Sequence, residues 1–110
     1  MIARVWHGWT TPEQADAYEA LLKCEIFPGI LAKNVAGFER IELFRRPVED
    51  EVEFVTVMWF ASLDAVRSFA GDAYETAYVP AQARAVLKRF DPRSQHYEVR
   101  TQQDASPHDR

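Results

Sequence analysis

Residues 52–60, VEFVTVMWF, constrain this chain more than any other stretch. The run is β-branched and aromatic and carries no helix-favouring pattern, so it predicts a strand. Alternation sends Val52, Phe54, Met58 and Phe60 to one face and Val55, Val57 and Trp59 to the other. Both sets are apolar, as in a central strand covered on two sides. Any fold for these 110 residues must supply both covers.

The rest of the chain supplies one. Residues 2–9 read as a strand that stops at Thr10-Thr11-Pro12. Thr11, Pro12 and Glu13 start a helix: a cap, a residue suited to the first turn and an acid at the positive end. The helix is expected to run to Phe27, where Pro28 and Gly29 interrupt it, with a further turn over 30–35. Ala15, Tyr18, Leu22 and Ile26 form its apolar stripe. A second strand covers 38–45 and ends at Pro47; Glu49, Asp50 and Glu51 make a solvated hairpin turn. After the central strand, Ser62 caps a helix that Gly71 closes, with Val66, Phe69 and Ala70 inward. Pro80 starts a third helical segment, in which Ala83, Val86, Leu87 and Phe90 keep helical spacing. Residues 95–100 alternate and form the last strand.

The order β-α-β-β-α-β predicts an α+β, ferredoxin-like fold: an antiparallel four-stranded sheet with helices on one face. The opposite face, carrying Val55, Val57 and Trp59, is expected to meet a second copy of the chain, which makes a homodimer. Residues 1–100 form a single domain, and 101–110 a disordered polar tail.

Charge narrows the partners. Thirteen Lys and Arg stand against seventeen Asp and Glu, a net charge of −4, and the basic residues are scattered. No nucleic-acid partner is expected. No apolar run reaches a membrane span and no signal peptide is evident, so no membrane partner is expected. With one cysteine, Cys24, the expected location is cytoplasmic. Cys24 lies beside Leu21 and Leu22 and reads as a small apolar residue. The four glycines are isolated, which leaves no phosphate-cradling loop for a nicotinamide or flavin nucleotide. His7, His96 and His108 lack metal-ligand spacing. No cofactor and no metal are expected.

The residues that could carry chemistry are aromatic and imidazole. The first and last strands of such a sheet are neighbours, which is expected to bring His7 and His96 to one rim as general base or hydrogen-bonding groups. If Ala3, Val5, His7 and Trp9 share one face, they are expected to line the space between sheet and helices. Trp59, Phe69, Tyr74 and Tyr78 are expected to wall a cavity for a flat aromatic ligand. Tyr74 and Tyr78, four apart, would face the same way on a helix. A buried tyrosine hydroxyl needs a partner, which makes Tyr78 the favoured polar group toward a ligand. The plainer reading is that the two histidines are partly exposed strand residues bonded to neighbours and that the aromatics fill the core.

The chain resembles the dimeric α/β-barrel superfamily, and within it the antibiotic-biosynthesis-monooxygenase-like domains, over about residues 1–100. The resemblance rests on the first strand with His7 and its tryptophans, on Pro28 followed by Gly37-Phe38, and on Trp59 and Asp64 leading to Phe69. It also rests on Tyr78 and Pro80 before the final helix and on His96-Tyr97-Glu98-Val99. It implies a cofactor-independent monooxygenase acting on a small aromatic or quinol-like substrate, whose phenolate passes an electron to oxygen. On that reading His7 and Tyr78 are catalytic, and Trp9, Trp59, Phe69, Tyr74 and His96 bind substrate. The heme-degrading branch places an Asn, a Trp and a His near positions 7, 69 and 78–79; this chain departs from it at each. The alternative is a non-catalytic dimeric module of the same fold that binds a small molecule or regulates.

Overall fold

A computed structural model describes residues 1–106. The strand signal at 52–60 becomes β3 (Glu51–Phe60), which pairs antiparallel with β1 (Ile2–Thr10) on one side and β2 (Phe38–Val48) on the other. The last strand position, beside β1, is shared by two short pieces, β4 (Arg89–Phe90) and β5 (Gln95–Glu98). The sheet order β2-β3-β1-β4, with β5 also on β1, is the ferredoxin-like order. The expected α+β class holds, with the fourth strand split in two.

The split has a visible cause. Between the pieces the chain leaves β1 at Asp91–Ser94, and the Asp91 N–H still reaches the His7 carbonyl at 3.0 Å. The Trp6 indole N–H donates to the Asp91 carbonyl at 2.8 Å, holding the detour. Phe90, expected on a helix, therefore belongs to the sheet.

Helix α1 (Ala15–Leu21) runs through a wider π-turn (Leu22–Ile26) into α2 (Phe27–Ala32). The expected break at Pro28 does not occur. In the π-turn the Phe27 N–H bonds to the Leu22 carbonyl, five residues back. This shift lets a residue without an N–H enter the helix without a broken bond beneath it. Pro47, expected to end its strand, pairs with Val52 inside β2. β2 is an edge strand, where a missing N–H facing solvent costs little. A two-residue turn at Glu49 and Asp50 follows, with Glu49 at φ 56°.

α3 (Leu63–Ala70) begins as expected: the Ser62 hydroxyl accepts from the Ala65 N–H at 3.2 Å. Gly71, at φ 85°, ends it. α4 (Ala81–Arg84) follows Pro80. Residues 101–106 have no regular structure; the rest of the expected tail, with His108, lies outside the described residues.

All helices pack on one sheet face. Beneath α1 and α4 the core gathers Tyr18, Leu22, Val52, Phe54 and Ala83; beneath α2 and α3 it gathers Ile30, Met58, Phe60, Ala65 and Val66. Phe54 and Tyr18 meet edge to face, 4.8 Å between centroids.

Candidate functional site

The pairing register decides which residues meet the helices. Ile2, Arg4, Trp6, Gly8 and Thr10 lie opposite Phe60, Met58, Thr56, Phe54 and Val52. That set of β1 faces the helices. Ala3, Val5, His7 and Trp9 lie opposite Trp59, Val57, Val55 and Glu53, on the open face. This corrects the expectation that His7 and Trp9 line the space beneath the helices. Successive residues of a strand alternate faces, so the correction moves every member of the set together.

An apolar cavity of about 70 Å³ lies between sheet and helices. Trp6, Thr56 and Met58 form its floor; Tyr18, Leu22 and Phe27 one wall; Phe69, Tyr78 and Ser94 the other end. Trp6 owes its position to Gly8: a Cβ there would meet the indole at 2.8 Å, so the ring lies across the glycine. No carboxylate, imidazole, amine or guanidinium stands among the lining residues. Hydroxyls of Tyr18, Thr56, Tyr78 and Ser94 supply the polarity. Tyr18 is 1% exposed, and burial pushes its phenol well above the usual tyrosine range. No sealed side-chain polar atom lacks a partner among the described residues. The Tyr18 hydroxyl bonds to no protein group, so it borders the cavity rather than packed atoms.

The open face is built differently. Glu53, 8% exposed, receives the Arg46 Nε–H at 2.8 Å and sits 3.0 Å from His7 Nδ1. The Arg46 hydrogen bond, then that of His7, holds its carboxyl below the usual range. Glu51 pairs with Arg89 and Lys88, which bring its carboxyl down to about 2. Arg89 lies 3.8 Å above the Trp9 ring, and Arg40 lies 4.8 Å above the Trp59 ring. The Trp59 indole N–H donates to Glu42. Phe44 and Tyr97, each over half exposed, complete this side.

The seven expected site residues therefore divide. Phe69 and Tyr78 meet at the cavity. His7, Trp9 and Trp59 lie behind the sheet. Tyr74 and His96 pack edge to face, 5.0 Å between centroids, at a neighbouring groove. His7 and His96 do not share a rim: His96 lies opposite Arg4, on the helix side. Tyr74 and Tyr78 do not face one way either, because residues 71–80 form no helix. Tyr78 is 65% exposed, at the cavity mouth. The sequence reading missed Trp6 and Tyr18. Gly8, two residues from Trp6, was the available signal, since a bare backbone position can seat a large ring. Among the described residues no three His, Cys, Asp or Glu side chains are grouped to hold a metal, and no helix is long and apolar enough to cross a membrane.

This architecture recurs among solved structures. A Bacillus cereus protein assigned as an antibiotic biosynthesis monooxygenase superposes with TM-score 0.69 at 14% identity, covering 97% of this chain and 98% of that one. The ActVA-Orf6 monooxygenase of Streptomyces coelicolor, solved with nanaomycin D, gives TM-score 0.61 at 18% identity, with coverages of 96% and 92%. A point mutant of SnoaB, a cofactor-independent oxygenase from Streptomyces nogalater, gives 0.51 at 17%, with coverages of 96% and 98%. At such identities the likeness establishes the fold. No curated protein matches the chain in sequence. The family follows from the sequence itself: residues 1–81 match the antibiotic biosynthesis monooxygenase profile, and the chain belongs to that family.

Proposed function

We propose that this protein is a monooxygenase acting, without a cofactor, on a small aromatic or quinol-like substrate held in the helix-side cavity. The observation that carries this reading is the cavity itself: an aromatic-walled, hydroxyl-edged slot in a chain of the monooxygenase family. Such a wall suits a flat ring, which gains from stacking and from leaving water. Phe69 and Trp6 flank the ring, and the Tyr18 and Tyr78 hydroxyls meet its oxygens. An electron-rich phenol that has lost its proton to solvent passes one electron to oxygen directly, which leaves a phenoxyl radical beside superoxide. At about 70 Å³ the slot is smaller than a polycyclic ligand, so binding displaces the wall at the exposed Tyr78, which lies outside any helix or strand. The active form is a homodimer joined through the open sheet face, where the exposed rings of Phe44 and Tyr97 and the partly exposed Val55 and Trp59 need cover.

Oxygen uptake with a naphthohydroquinone, above the spontaneous rate, tests the activity. Tyr18→Phe is expected to lower it by roughly tenfold, the cost of one hydrogen bond to an ionised oxygen. A loss on His7→Ala with Tyr18→Phe unaffected would move the chemistry to the open face. One observation favours a second reading, a binding module without turnover: the lining residues offer no general base. Ligand binding with no oxygen uptake would establish that reading.

A further inference from the structure

Arg4 is a buried charge with no acid to meet it. It is 4% exposed, and none of the ion pairs among the described residues includes it. A guanidinium withdrawn from water without a counter-ion is costly and calls for compensation. Among the described residues only one of its guanidinium nitrogens finds a partner: Nη1 donates to the Tyr74 carbonyl and, at 2.9 Å, to His96 Nε2. Nε and Nη2 have no partner among the described residues, and neither is fully sealed, since no sealed polar side-chain atom there is without a partner. Burial brings the guanidinium down to about 10, as expected of a charge short of partners.

Arg4 lies between two spaces and is itself part of the lining of neither. Its strand neighbour Trp6, its cross-strand partner Met58 and Phe69, whose ring lies 5.7 Å from its Cζ, all line the aromatic cavity. Ile2, Tyr74 and His96, on its other side, line an open groove of about 590 Å³, and Ser94 borders both. Because a guanidinium only donates, His96 Nε2 must accept, so its ring proton is on Nδ1. Desolvation first, then Arg4, holds this imidazole below the ordinary histidine range, with exposed Glu75 opposing. The groove's other charges are on its rim: Arg93 is exposed, and Glu98 lies 3.8 Å from Arg100.

We propose that Arg4, oriented by His96 and the Tyr74 carbonyl, is the anchor for the carboxylate of an aromatic acid whose ring rests against Phe69. The unused donors decide the ligand. Nε–H and one Nη2–H form the side edge of the guanidinium, two parallel donors that match the two oxygens of a carboxylate. The assignment deepens the reading of the cavity as a ligand site and rests on it, but it requires no oxygen chemistry.

Benzoate and its neutral isostere benzamide provide the test, by calorimetric titration of the full chain. Benzoate is expected to bind roughly tenfold or more tightly than benzamide. Arg4→Gln is expected to abolish that preference, and Arg4→Lys, which keeps the charge but not the fork, to retain part of it. Should Arg4→Gln fail to fold, the wild-type chain suffices: benzoate shifts the Arg4 Nε–H resonance and benzamide does not. Equal binding of the two, no benzoate binding at about 10 mM, or a preference that survives Arg4→Gln overturns the proposal. Benzoate preference without oxygen uptake on any phenol would overturn the monooxygenase reading alone; uptake without the preference would overturn this one alone.

Discussion

The two faces of one strand make different materials from adjacent residues. On the helix side of β3, Phe54 and Phe60 are fully buried in apolar contacts. On the open side, Glu53 and Trp59 are held by charge: Arg46 and His7 on the carboxylate, Arg40 over the indole. The first face is specified by volume and the second by pairs of opposite sign. Volume cannot be rearranged without leaving a void, whereas paired side chains at a surface can exchange partners. A ligand slot therefore belongs on the first face. The second suits contact with another molecule, since a partner can replace water around an existing lattice of charges.

Truncating the packed face should have the largest effect. Phe54→Ala is expected to cost about 3–5 kcal/mol, read from the urea midpoint, because it removes a fully buried ring from its Tyr18 contact. Val55→Ala, one residue along on the other face, should cost well under half as much in the isolated chain; equal losses would erase the contrast. A charge at an exposed position of the open face probes assembly rather than folding. Phe44→Lys, at a half-exposed ring opposite Val55, is expected to turn a species of 2 × 12.7 = 25.4 kDa into one of 12.7 kDa in sedimentation, with the helical signal kept. A wild-type chain that sediments at the smaller mass already would remove the dimer.

Acid sharpens the difference further. Glu53 is held ionised by Arg46 and His7, so its folded pKa lies below the unfolded value of about 4.3. Its contribution is complete above that value and is lost as pH falls through the folded pKa. A urea midpoint that declines in this acid range, less steeply in Glu53→Gln, is the expected result; identical slopes would leave Glu53 without a share. The smallest effect is at the hairpin. Glu49→Gly relieves a φ of 56° and should stabilise by about 0.5 kcal/mol in the same assay.

The sequence exposed the fold more fully than the site, for reasons particular residues show. β3 was legible because nine successive residues agree on one structure, and Ser62 and Gly71 because each performs a backbone task few others can. Pro28 and Pro47 misled because each is a local breaker whose effect depends on its surroundings: a π-turn below one, a free edge beside the other. The site turned on parity in β1. Of its two alternating sets, Ala3, Val5, His7 and Trp9 look the more buried, while the set that does face the core holds Arg4, Gly8 and Thr10. Polarity concealed it, because Arg4 buries a charge whose partners, the Tyr74 carbonyl and His96, are distant in sequence, while Thr10 bonds the carbonyl of its neighbour Thr11. The family match and the fold agree on residues that no single-residue argument could place.

The division of the three tryptophans has an optical consequence. Trp6 is in the cavity wall, its N–H bonded to a backbone carbonyl, while Trp9 and Trp59 lie behind the sheet under Arg89 and Arg40. Light absorbed by the chain is thus reported from two separate places. With Trp9 and Trp59 replaced by phenylalanine, the remaining emission senses only what enters the slot. With Trp6 replaced instead, it senses only what covers the sheet. The chain carries an independent fluorophore for each of its two faces, and needs no label to tell occupancy from assembly.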